Sequence, residues 1–200
     1  MDNRYYPGEA GMDDELRLKS ARVWHRVMAA EETDDETDNK PMPVRKMQEE
    51  KTPMPMRTGC MDGSSEQSVQ TVKRFILGEL SDCHFYSRFA QCAPSRWASQ
   101  RLMEISAEEG RHARKLIATY YLMTGMNYCP HHQAVCTPMP EYCDGLRMRF
   151  TEECQGAKSY LEAAEETDDM CMSEMFQNLA EDEYAHAKTL RDLLACEMKV

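Results

Sequence analysis

Six side chains suited to binding metal recur at related spacings. Glu109 and His112 are three residues apart, Glu183 and His186 likewise, and Glu79 and Glu153 each stand within an apolar run. Carboxylate oxygen and imidazole nitrogen suit first-row divalent ions. A Glu-x-x-His pair places both groups on one helix face, with Cβ atoms about 5–6 Å apart. The glutamate can then bridge two metals while the histidine binds one, and Glu79 and Glu153 would complete the two sites as terminal ligands. An unpaired carboxylate in a helical core costs several kcal/mol, so four together require neutralisation. Two divalent cations supply it by count, with both histidines neutral.

The two halves of the chain repeat one another. Glu79, Tyr86, Glu109 and His112 return 74 residues later as Glu153, Tyr160, Glu183 and His186. Glu108 becomes Asp182, Ile105 becomes Leu179, Ala113 recurs as Ala187, and Leu116 becomes Leu190. Tyr86 and Tyr160 lie two turns beyond the terminal glutamates, suited to hydrogen-bonding a ligand carboxylate. Glu108 and Asp182 precede the bridging glutamates and are placed to accept the free imidazole N–H of the opposite histidine. These four are the candidate catalytic supports.

The elements that must position these groups are four amphipathic helices. The first stripe is Val69, Val72, Ile76, Glu79, Cys83, Tyr86 and Ala90. The second is Ala98, Leu102, Ile105, Glu109, His112, Leu116, Thr119 and Met123. The third is Leu146, Phe150, Glu153, Ala157, Tyr160 and Ala164, and the fourth is Met172, Phe176, Leu179, Glu183, His186, Leu190 and Leu193. Short connections at 92–95 and 167–169 predict two antiparallel hairpins. The segment from Gly125 to Tyr142 is longer. A helix of about 28 residues spans roughly 42 Å, and 18 extended residues reach roughly 60 Å, so this segment can cross the whole bundle.

Residues 1–64 read as an acidic, Met- and Pro-rich tail with one helix expected over Asp13–Ala30, and residues 65–200 as the bundle. The tail methionines are soft donors that suit copper, but no His or Cys recurs at a matching spacing. His25 and His84 read as surface residues, and Trp24 and Trp97 as packing. A net charge of −11 argues against nucleic acid or an anionic membrane as the main partner. With no run of some 18–20 apolar residues and no basic-then-apolar leader, the expectation is a cytoplasmic protein. Nine cysteines, none in a C-x-x-C pair, exclude a zinc ribbon or rubredoxin-like centre and are expected to be free thiols. Cys129, Cys136 and Cys143 recur every seven residues with His131 and His132 between them, matching no standard zinc spacing.

The segments GELSDCHFYSRFA (78–90), SAEEGRHARKL (106–116), EECQGAKSYLEAAEE (152–166) and LAEDEYAHAKTL (179–190) resemble the rubrerythrin branch of the ferritin-like superfamily, over about residues 66–198. The resemblance implies an all-α, ferritin-like four-helix bundle holding two iron ions per chain, with manganese the other metal these donors suit. It also implies reaction with hydrogen peroxide or oxygen, in oxidative-stress defence or iron handling. An external electron donor (rubredoxin-like or a flavoprotein) and a homodimer go with it. The chain departs from the family pattern in having no rubredoxin domain, and Gly156 where many members carry a further glutamate. Three alternatives stay open: ferroxidase activity feeding iron storage, a manganese catalase, and a non-enzymatic metal-stabilised structural protein.

Overall fold

A computed structural model describes residues 14–29, 65–130 and 138–197, and the described residues form five α-helices and one short 3-10 turn. They are α1 (Asp14–Ala29), α2 (Glu66–Phe89), α3 (Arg96–Thr124), α4 (Tyr142–Glu166) and α5 (Met170–Glu197), with the 3-10 turn Ala90–Cys92 closing α2. Each boundary has a local cause. The hydroxyls of Ser65 and Ser95 accept from the backbone N–H groups of Ser68 and Ala98, capping α2 and α3. At the far end of α3, Gly125 adopts φ 69° and its N–H reaches Tyr121 O, the left-handed stop that glycine allows without strain. The Asp169 carboxylate accepts from the N–H groups of Cys171 and Met172 at the start of α5.

The four long helices pack as the hairpins α2–α3 and α4–α5. Thr119 near the end of α3 meets Met175 near the start of α5, whereas the end of α2 meets the start of α4. The chain therefore leaves α3 at one end of the bundle and enters α4 at the other. At the second contact the Phe89 ring lies where a side chain on Gly145 would sit, 2.5 Å from an ideal Cβ, so glycine is what lets α2 and α4 close there. Of the predicted stripes, Val69, Cys83, Met123 and Phe150 are half-buried and every other member is buried. One apolar layer centres on Val72, Ile76, Leu116, Phe176 and Leu179. The second, nearer the other end, holds Phe89, Leu102, Ile105, Leu146 and Leu190. The acidic and histidine positions lie on the same stripes between these layers.

Helix α1 lies against α4 and α5. Trp24 is buried edge-on against Tyr184 and Phe150, Ser20 shares a hydrogen bond with the Tyr184 hydroxyl, and Lys19 pairs with Glu165. Trp24→Ala is expected to cost about 3 kcal/mol of unfolding free energy by chemical denaturation. Metal content should be unchanged, because the six candidate ligands come from α2, α3, α4 and α5 rather than from α1. Trp97, in contrast, is 54% exposed and belongs to neither apolar layer of the described residues. His25 and His84 are exposed. The tail reading of residues 30–64 lies outside the described residues, as do His131, His132 and Cys136. Cys171 is disulfide-bonded, a correction to the expectation of free thiols. Cys83, Cys92, Cys129, Cys143, Cys154 and Cys196 are free. Among the described residues no helix is long and apolar enough to cross a membrane.

Candidate metal centre

The two hairpins bring Glu79 and Glu153, from α2 and α4, to face Glu109–His112 on α3 and Glu183–His186 on α5. All six side chains are buried, at 1–6% exposure. They fall into two overlapping groups: Glu79, Glu109, His112 and Glu183, and Glu109, Glu153, Glu183 and His186. Within each group one donor atom per residue lies within 4.8 Å of all the others. Glu109 and Glu183 belong to both groups, the geometry a bridging carboxylate needs. The two imidazoles stack at 5.8 Å between centroids, and each Nδ1 points to the middle. His112 Nδ1 lies 3.2 Å from Glu109 and 3.3 Å from Glu79, and His186 Nδ1 lies 3.1 Å from Glu109 and 3.6 Å from Glu153.

The outward edges of these groups are tied down from the opposite hairpin. His112 Nε2 lies 3.1 Å from Asp182, and His186 Nε2 lies 2.8 Å from Glu108. These contacts orient each ring with Nδ1 inward, leaving that atom for a metal. The Tyr86 hydroxyl donates to Glu153 Oε1 and the Tyr160 hydroxyl to Glu79 Oε1. Replacing either outer acid by its amide (Asp182→Asn or Glu108→Gln) is expected to weaken metal affinity about 10- to 100-fold. Competitive titration against a chelator would read the change, and an unaltered affinity would remove the orienting role.

Within the protein, the centre leaves polar atoms incompletely satisfied. Glu79 Oε2, Glu109 Oε1 and His186 Nδ1 are buried and make no well-directed hydrogen bond, although His186 Nδ1 lies beside Glu109 Oε1 and Glu79 Oε2 beside His112 Nδ1. Buried polar groups are normally satisfied, so such atoms, one in each donor group and one on a residue shared by both, fit cations as the missing partners. Without metal, protons balance the charge. Burial and the neighbouring Glu109, Glu153 and Glu79 push the Glu183 carboxyl well above its ordinary range. Burial likewise raises Glu79, to about 7, against the opposing bond from His112. Burial disfavours a charged His112, yet hydrogen bonds with Asp182, Glu109 and Glu79 outweigh it and raise the ring to about 11. His186 is raised in the same way, with burial overcome by Glu109 and Glu108. Glu109 and Glu153 are held ionised despite burial, Glu109 chiefly by His186 and Glu153 by bonds with Glu183 and His186 and by Arg149.

The sequence reading missed Arg149. It is 6% exposed and donates from Nη2 to Glu153 Oε1 at 2.7 Å and from Nε to the Tyr86 hydroxyl at 3.1 Å. Its Nη1 reaches Asp82 at 2.8 Å and Glu152 at 2.7 Å. A signal was present, since Arg149 precedes Glu153 by one turn and its counterpart in the internal repeat is the buried Phe75.

The comparisons agree with this architecture. The rubrerythrin family model matches residues 144–198, which span α4 and α5 almost entirely. The chain is 30% identical over 119 residues to an uncharacterized protein, YhjR, of Bacillus subtilis (strain 168), a match covering 60% of this chain and 81% of that relative. No solved structure matches the chain. An all-α bundle of two hairpins, with a buried Glu/His cluster drawn from all four helices and these two matches, places the chain in the rubrerythrin family of the ferritin-like di-iron superfamily.

Proposed function

We propose that the chain is a di-iron oxidoreductase that reduces hydrogen peroxide or oxygen, with electrons supplied by a separate donor. The observation carrying this reading is the pair of buried donor groups sharing Glu109 and Glu183, with buried ligand atoms that make no well-directed hydrogen bond within the protein. Glu79 and His112 would hold one ion, Glu153 and His186 the other, and Glu109 and Glu183 would bridge them. Two irons, when bound, supply one electron each, the number that splitting one O–O bond takes. The protein's part is to hold this donor set in place. The tyrosine hydroxyls fix one oxygen of each terminal carboxylate, and Asp182 and Glu108 fix the rings. The apolar layers on either side of the cluster keep bulk water out along the bundle, so charges among the buried ligands act in a lower dielectric than at the surface.

Anaerobic loading with ferrous iron, followed by peroxide, tests the proposal. The expected result is two irons per chain, consumption of about one peroxide per iron pair, and a new ferric absorption in the near ultraviolet. Return of the original spectrum on adding a reductant would complete a turnover. A chain that folds but retains no stoichiometric metal would overturn the reading.

A further inference from the structure

The internal repeat is broken at three places, and all three surround the same cavity. Arg149 stands where the repeat has Phe75, Asp82 where it has Gly156, and Glu152 where it has Gly78. These six residues line a cavity of about 230 Å3 between α2 and α4, whose floor includes Glu79, Glu153, Glu183 and Tyr160. On one side Arg149 ties Asp82, Glu152, Tyr86 and Glu153 into a single cluster. Across the cavity the matching positions offer a phenyl ring, which packs on Tyr160 at 4.2 Å between centroids, and two glycines. A side chain on Gly78 would meet nothing within 4 Å, and one on Gly156 would come within 3.3 Å of Glu183 Oε2.

The two terminal glutamates are consequently held differently. Glu153 Oε1 accepts from both Arg149 and Tyr86, so that oxygen is committed and Oε2 is presented in one orientation. Glu79 Oε1 accepts only from Tyr160, and its Oε2 makes no well-directed hydrogen bond, lying 3.3 Å from His112 Nδ1. Charge differs in the same sense. Arg149 with Asp82 and Glu152 sums to one negative charge beside Glu153, whereas Phe75, Gly78 and Gly156 add none beside Glu79. A fixed ligand loses less freedom on binding, and a more negative surround favours a cation.

We propose, resting on the metal-centre reading above, that the two metal positions are unequal. The Glu153–His186 position, held by Arg149 as a positioning residue, fills first and retains its ion. The Glu79–His112 position, whose glutamate lies beside Gly78 at the open cavity, is the weaker one and exchanges.

The test is an anaerobic titration of the full-length, metal-free protein with Co2+, read by calorimetry and visible absorption. Two separable steps are expected, with dissociation constants about 10-fold or more apart. His112→Gln should keep the tight step and lose the weak one, and His186→Gln should lose the tight step. Arg149→Gln should bring the two steps together, and Arg149→Lys, able to keep one bond to Glu153, should separate them again in part. Equal affinities in the unaltered protein, or a tight step that survives His186→Gln, would overturn the assignment. Should the Arg149 variants not fold, the two histidine variants decide the matter alone. Absence of any cobalt binding would overturn the metal-centre reading, and this inference with it.

Discussion

Glu183→Ala is expected to leave a chain that retains at most one metal ion. Glu183 belongs to both donor groups, so its loss removes an oxygen from each position and a negative charge from between two dications. Removing one partner from a buried charge cluster costs about 3–5 kcal/mol, or roughly 10²- to nearly 10⁴-fold in affinity for the paired state. The metal-free fold should be affected less, because burial and the neighbouring carboxylates push Glu183 well above its ordinary range, and what is lost there is chiefly its bond with Glu153. Elemental analysis after iron or cobalt loading and desalting, with helicity and melting temperature measured beside it, would separate the two effects. Two ions retained by Glu183→Ala would remove the bridging role. Glu109→Ala is expected to behave alike in stoichiometry. It should also disturb the metal-free state, where ionised Glu109 sits against both histidines.

The second large effect is on pH dependence, and metal reverses its direction. In the metal-free protein His112 keeps its proton up to about 11, whereas a histidine in the unfolded chain releases it near about 6.5. The folded state therefore binds more protons across that window. The stabilisation is complete below about 6.5 and declines as pH rises toward the folded value. His186 acts in the same direction. Glu79, raised from its ordinary 4.5 to about 7, removes stability as pH rises through that lower interval. Metal-free protein should thus melt at progressively lower temperature from about pH 5 upward. Metal binding must displace these protons, from His112, His186 and Glu183, with a part from Glu79. About three protons per chain should be released near neutral pH, and affinity should climb with pH. Calorimetry in two buffers of different ionisation enthalpy counts them. Release of none would mean that the histidines are neutral before metal arrives. At free metal 1,000-fold above the dissociation constant, one site adds about 4 kcal/mol of stability. Loaded protein should therefore lose the alkaline decline that metal-free protein shows.

Much of the fold and site was legible in the sequence because both are written in local spacing. The three-four alternation identifies which face of each helix is buried, and Glu79, Glu109, His112, Glu153, Glu183 and His186 sit on those faces with no apolar reason to be there. The 74-residue repeat then pairs the halves, so the contacts of Tyr86 with Glu153 and of Tyr160 with Glu79 follow from a pseudo-symmetric arrangement of two hairpins. Buried carboxylates demand a counter-charge whatever the details of packing, so the candidate donor types follow from the residues alone.

Tertiary structure alone decided what happens where the repeat fails. Periodicity gives a residue's face but not which side chain on a neighbouring helix it meets, since that depends on the offset at which two helices pack. Arg149 lies off the predicted apolar stripe, and only the packing of α2 puts Asp82 and Tyr86 beside it. Gly78 and Gly156 sit on different helices, and only that packing makes them line one cavity beside the cluster. Helix α1 was visible as a modest amphipathic segment, but its seat against Tyr184 and Phe150 is a contact between residues more than a hundred positions apart. Local spacing determined which six residues are the candidate metal ligands of this protein. The packing of α2 against α4 decided that the two halves of that cluster have different surroundings, because only there do the broken positions of the repeat come together.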